Sequence, residues 1–158
     1  MIRLKANWVA VAVFSLLALF CSLLTSVVLA TAETISVSAG QTVVRSIDLN
    51  AEDEVSGRIT VVSSGESQDI NFTVIGPNGQ IVSSALKASA TNFKFSASEK
   101  GTYRFVFDNS QSTVDKTVSF NYDIKHYWFG LPQEFVLMLI VVFIGVLGLV
   151  AYAMMSKG

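Results

Sequence analysis

The sequence is poor in the residues from which catalytic and metal centres are usually built. Among its 158 residues there is one cysteine, Cys21, and one histidine, His126. Zinc is held by several His, Cys or carboxylate ligands, so no metal centre is expected. No cofactor motif is present, and no cofactor is expected. A nucleophile–base pair has few candidates, because His126 is the one imidazole and Cys21 lies inside an apolar run. Cys21 follows Leu19-Phe20, where lipoprotein acylation would want a small residue, and reads as an inert apolar-segment thiol. A chain with a single cysteine has no internal disulfide, so the middle of the protein must fold on its apolar core alone.

Charge is scarce too. Charged residues make up 15% of the chain. From Glu33 to Trp128 there are 11 acidic and 8 basic side chains, a net of −3. No basic stripe is available for phosphates, so a nucleic-acid partner is excluded. The segment between the two apolar ends also lacks any helical period.

What is present is alternation. In Gly101–Asn109, Tyr103, Phe105 and Phe107 fall on one side and Thr102, Arg104, Val106 and Asp108 on the other, the pattern of a half-buried strand. Similar short runs recur: 34–38, 41–49, 57–62, 69–75, 80–84, 92–97 and 116–125. Gly76-Pro-Asn-Gly79 is a tight turn between two of them, and residues 86–91 read as a surface crossing. About eight short strands without crossover helices predict an all-β antiparallel sandwich, jelly-roll-like. Its expected core is Phe72, Phe93, Phe95, Tyr103, Phe105, Phe107, Phe120 and Tyr122.

The ends point to a membrane. Arg3 and Lys5 precede an uncharged run from Trp8 to Ala30, and Ala30-Thr-Ala32 matches a signal-peptidase site. Residues 1–32 are therefore a cleaved signal peptide or a retained signal anchor. Residues 33–126 form the sandwich and residues 127–134 an aromatic linker. Residues 135–155 are uncharged and form a single transmembrane helix, leaving 156–158 as a cytoplasmic tail. Tyr127, Trp128 and Phe129 are expected at the membrane interface, facing lipid. Gly145, Gly148 and Ala151 offer a small-residue face for packing against another membrane helix.

Other candidate sites are few. Asn71-Phe-Thr73 is a glycosylation acceptor pattern. Asp48, Glu52, Asp53 and Glu54, with Asp108 and Asn109, carry oxygen atoms suited to calcium, but no calcium-loop spacing is present and a solvated acidic loop is the reading. His126 reads as a membrane-interface residue at a strand end.

Gly57-Arg-Ile-Thr-Val61, Asp69-Ile-Asn-Phe-Thr-Val-Ile-Gly-Pro-Asn-Gly79, Phe93-Lys-Phe-Ser-Ala97 and Gly101–Asn109 occur in an order that resembles a GOLD (Golgi dynamics) domain. This is the lumenal domain of the early-secretory cargo receptors. The resemblance covers roughly residues 41–155 and implies a non-catalytic, membrane-anchored protein-binding adaptor able to self-associate. It also exposes departures. Val106 stands where a family disulfide cysteine is expected, few residues join Lys125 to Pro132 where a heptad helix is expected, and Ser156-Lys-Gly158 lacks coat-binding signals. These departures suit a divergent prokaryotic or archaeal member. It would be a single-pass protein of the cell membrane with its domain outside, type I if the leader is cleaved. The endoplasmic reticulum or Golgi membrane is the alternative. A second functional reading is an accessory subunit of a larger membrane complex. An exported enzyme would need a polar pocket built from Ser, Asp and Lys.

Overall fold

The computed structural model describes residues 30–63, 65 and 68–155. The leader readings for residues 1–29, Cys21 among them, and the tail at 156–158 lie outside the described residues. The chain divides into two units, one running from Val28 to Gly130 and one containing Leu131 onward.

The first unit holds strands β1 (Thr31–Val37), β2 (Thr42–Leu49), β3 (Glu54–Ser63), β4 (Ile70–Ile75) and β5 (Ile81–Ala88). They are followed by β6 (Ala90–Ser96), β7 (Gly101–Asp108), β8 (Lys116–Lys125) and the short β9 (Tyr127–Trp128). One antiparallel sheet runs β1-β8-β3-β6 and the other β2-β7-β4-β5. That is the strand order of a jelly roll. Except for the β4–β5 hairpin, consecutive strands alternate between the sheets, so the other turns are corners and both inner faces close one core.

The aromatic alternation builds that core. The β2–β7–β4–β5 sheet contributes Phe72, Tyr103, Phe105 and Phe107, and the facing sheet contributes Phe93, Phe95, Phe120 and Tyr122. Seven of the eight are buried, while Tyr122 is partly exposed. Ring centroids lie 5.1 Å apart for Phe72–Phe93, 5.2 Å for Phe107–Phe120 and 5.3 Å for Phe105–Phe120, so rings from the two sheets interdigitate. Gly57 is part of this arrangement. It pairs with Phe93 across the ladder, and a Cβ there would collide with the Phe93 ring and the Asn121 carbonyl.

Two elements differ from the sequence expectation. β5 continues to Ala88 and β6 starts at Ala90, so the expected surface crossing at 86–91 is strand. β5 is an edge strand, paired only with β4 through an irregular register, and none of its residues is fully buried. A strand with one ladder and little burial leaves almost no alternation to read. β1 likewise begins at Thr31 rather than Thr34, with Thr31 and Ala32 opposite Tyr122 and Asn121.

The second unit contains the two-residue β10 (Leu131–Pro132) and α1 (Gln133–Met155), of 23 residues. Pro132 precedes the first turn and Glu134 lies within it, favourable for a helix start. α1 has a mean hydropathy of 2.9 in its most apolar window and no buried residue among those described. At 1.5 Å per residue it is about 35 Å long, enough to cross a bilayer.

Candidate functional site

A sandwich filled with aromatic rings has two open ends, and the polar residues buried in this one close them. Among the described residues these are Asp53, Asn109 and Lys116. Asn109 and Lys116 lie at one end, with Thr42, Ser63 and Asp108. Asp53 lies at the other, with Leu49, Ala97 and the point where the chain leaves β8.

At the loop end Asn109 is a hub. Its side-chain nitrogen donates toward the carbonyls of Val37 (3.2 Å), Ser38 (3.1 Å) and Val114 (2.9 Å), and its backbone N–H donates to Gln41 (2.9 Å). Three carbonyls around one NH2 group fix the orientation of the amide. The corner after β1 is tied to the same loop, because the Gly40 N–H donates to both Asn109 and Ser112 carbonyls and the Ala39 N–H to Asp115 (2.8 Å). Gly40 has φ 71°, which glycine adopts without strain. Lys116 is buried with its ammonium on the Asp69 backbone carbonyl and on Asp69 Oδ1 at 3.3 Å.

Beside this hub is an open cleft of about 400 Å³, lined among others by Asp69, Asn71, Lys87, Asp108, Gln111 and Thr113. Ser110 hydrogen bonds hold the Asp108 carboxyl below its usual range, with Thr42 and Asn71 adding to the effect and burial opposing it. The cleft meets the requirement for a concave polar site, but its groups are committed elsewhere. Asp108 accepts from Ser110 N–H (2.9 Å) and Thr42 Oγ1 (3.0 Å), and Ser112 Oγ donates to the Val114 carbonyl (3.2 Å).

Asn71 lines the cleft within β4. Its Oδ1 accepts the Lys87 N–H (3.0 Å), and its side chain also bonds Asp108. A glycan on Asn71 would therefore occupy the cleft and compete with the Asp108 bond.

The opposite, exit end corrects the reading of the acidic loop as simply solvated. Asp53 is 1% exposed. Its Oδ1 lies 2.9 Å from His126 Nδ1, and its Oδ2 accepts the Asn50 N–H at 2.9 Å. The neighbouring acids each have other partners: Asp48 accepts from Thr102 Oγ1 (2.6 Å), Glu54 pairs with Lys94 (2.9 Å) and Glu52 accepts the Gly130 N–H (3.3 Å). The loop carboxylates thus do not converge, and among the described residues no three His, Cys or acidic groups gather as a metal site. His126 is an interface residue in a narrower sense than expected, since its ring joins β8 to the acidic loop. Beyond it, Trp128 and Phe129 are 43% and 95% exposed. Asp108 and Asn109 sit at the other end of the sandwich, far from Asp53 in register.

On α1, Gly145 is half-buried while Gly148 and Ala151 are exposed, and among the described residues a Cβ on Gly148 would meet nothing within 4 Å. Sequence reasoning missed the Asn109 hub, the burial of Lys116 and the Asp53–His126 pair. Each depends on partners distant along the chain, and residue type alone carries no signal for it.

A family model described as emp24/gp25L/p24 family/GOLD matches residues 32–133. Transmembrane emp24 domain-containing protein p24beta3 of Arabidopsis thaliana is 36% identical over 87 residues, covering 52% of this chain and 38% of that protein. Human transmembrane emp24 domain-containing protein 7 is 34% identical over 64 residues, covering 40% and 29%. A transmembrane emp24 domain-containing protein of Nematostella vectensis is 33% identical over 69 residues, covering 43% and 34%. The match spans about a third of the length of these relatives. Among solved structures, the Yersinia pseudotuberculosis-derived mitogen aligns with a TM-score of 0.47 at 8% identity, covering 65% of this chain and 91% of its own. The Aeromonas hydrophila lysozyme inhibitor PliG aligns at 0.44 and 15%, covering 61% and 86%. Both likenesses are too distant to carry an argument. The family match runs across the whole sandwich and up to the start of α1, and the chain belongs to the emp24/gp25L/p24 family, of which the sandwich is the GOLD domain.

Proposed function

We propose that this protein is a membrane-anchored, non-catalytic adaptor that binds exported proteins through the loop end of its sandwich. The observation that carries this reading is the cleft beside Asn109. It lies at the end opposite the chain's exit toward α1, and loops cross-tied through one buried amide frame it. A rigid scaffold bearing polar groups on loops is the usual form of a recognition surface. Lys87 and Asp108 present opposite charges there and suit a polar peptide segment. Family membership and a 23-residue apolar helix favour an early-secretory membrane, endoplasmic reticulum or Golgi, with the sandwich in the lumen, over the cell surface.

A photo-crosslinking residue at Gln111, beside the cleft, should capture a soluble exported protein in intact secretory membranes. The same residue at Lys100, at the exit end, should not. Lys87→Glu should abolish the Gln111 product. Equal capture from both positions would contradict loop-end recognition.

The reading as an accessory subunit draws on the small residues Gly145, Gly148 and Ala151 of α1, of which Gly148 and Ala151 are exposed. Gly148→Leu would release the protein from a helix-packed complex.

A further inference from the structure

The turn that leaves the sandwich is strained in an unusual place. Three described non-glycine residues have positive φ, and two of them, Glu52 (72°) and Phe129 (56°), flank the same junction. Gly130 beside them has φ 74°. A left-handed conformation is unfavourable for an aromatic residue, and it persists only where the surroundings hold it. Here Phe129 and Gly130 form the two-residue turn between β9 and β10, in which both positions take positive φ, and two contacts fix the ends of that turn. Asp53 takes the His126 ring at the start of the turn, and Glu52 takes the Gly130 N–H at its end. The product of this arrangement is a ring, Phe129, projected into the surroundings at 95% exposure beside a half-exposed Trp128.

We propose that His126–Gly130 is a lipid-contacting foot of the sandwich, locked in shape by Asp53 and Glu52, so that Trp128 and Phe129 are presented to lipid in one conformation. The proposal builds on the reading that α1 spans a membrane. Phe129 is four residues from Gln133, a reach of at most about 14 Å even if fully extended. The headgroup zone beside the start of a spanning helix is therefore within range, and Trp, Tyr and Phe partition there. Tethering alone would bring these rings near lipid in many orientations. The lock selects one of them, and His126 is its key because its ring is the side chain from the linker that meets the buried carboxylate.

The test uses the full chain in phosphatidylcholine vesicles whose acyl chains are brominated near the headgroup or near the methyl end. Tryptophan occurs at positions 8 and 128, so Trp8→Phe leaves Trp128 as the reporter. A second protein, Trp8→Phe with Trp128→Phe and Phe143→Trp, reports on α1. Phe143→Trp is expected to be quenched by the deep bromines. Trp128 is expected to be quenched about threefold more by shallow than by deep bromines, as for an interfacial ring. Adding His126→Ala should bring that ratio close to one, and His126→Asn, which keeps an N–H near the position of Nδ1, should restore it. Quenching of Phe143→Trp without quenching of Trp128, or a His126→Ala ratio unchanged from the parent, overturns the locked foot and leaves the membrane anchor standing. No quenching of either reporter overturns the anchor, and the foot with it.

Discussion

At the exit end of the sandwich a buried carboxylate, Asp53, meets a half-exposed imidazole. At the loop end the closing groups, the Asn109 amide and the Lys116 ammonium, are themselves buried. The partners differ in origin as well. Asn109 and Lys116 bond mainly to backbone carbonyls of neighbouring corners, so the loop end is self-contained. Asp53 depends on a residue that already belongs to the connection toward α1. The first arrangement suits a fixed platform for recognition. The second makes the closure of the domain answer to the conformation of its linker.

The strongest challenge to that contrast is applied between the ends. Phe120 touches Phe105, Phe107 and Tyr122, and Phe120→Ala should cost about 3–5 kcal/mol in denaturant unfolding. Because the core is shared, amide exchange should rise at both ends together. A loss of protection confined to one end would mean that the sheets do not form one cooperative unit. Asn109→Ala removes the donor to three carbonyls and should cost about 2–3 kcal/mol. Exchange should rise at Gly40 and Ser112 while Asn50 and Gly130 stay protected.

His126→Ala sharpens the opposite side of the comparison. The lost bond is to a buried carboxylate, but the imidazole is half-exposed, so about 1–2 kcal/mol is expected after solvent screening. Exchange should rise at Asn50 and Gly130 and not at Gly40. The smallest effect is titration of the loop end. Asp108 is held below its ordinary value of 3.8, so its contribution is complete above that value and is lost as pH falls through the lowered folded one. Unfolding measured between pH 5 and about pH 2 should therefore show an acid-side decline that Asp108→Asn reduces. An identical decline in the variant would remove Asp108 from the account.

The layers of the molecule were legible because large apolar residues, many of them aromatic, recur at every second position in β4, β6, β7 and β8, and only a two-sided core accommodates them. The tight turn at Gly76–Gly79 was legible as well, with Gly79 at φ 82° and its N–H on the Gly76 carbonyl at 3.0 Å. Edge strands were harder. β5 buries too little for its alternation to rise above the background, and the first residues of β1 continue the composition of the preceding apolar run. The end closures could not be read at all. Asp53 sits between Glu52 and Glu54, and nothing local distinguishes it. Its partner His126 lies 73 residues further along the chain. Asn109 similarly follows an aspartate in a polar stretch, and its importance appears only when β1 and the loop before β8 arrive around it.

Protease treatment of sealed secretory vesicles carrying the full-length protein tests most directly whether the sandwich is held by α1 on the lumenal side. A fragment containing the sandwich should survive intact until detergent opens the vesicles. Its digestion in sealed vesicles, without detergent, would contradict the account.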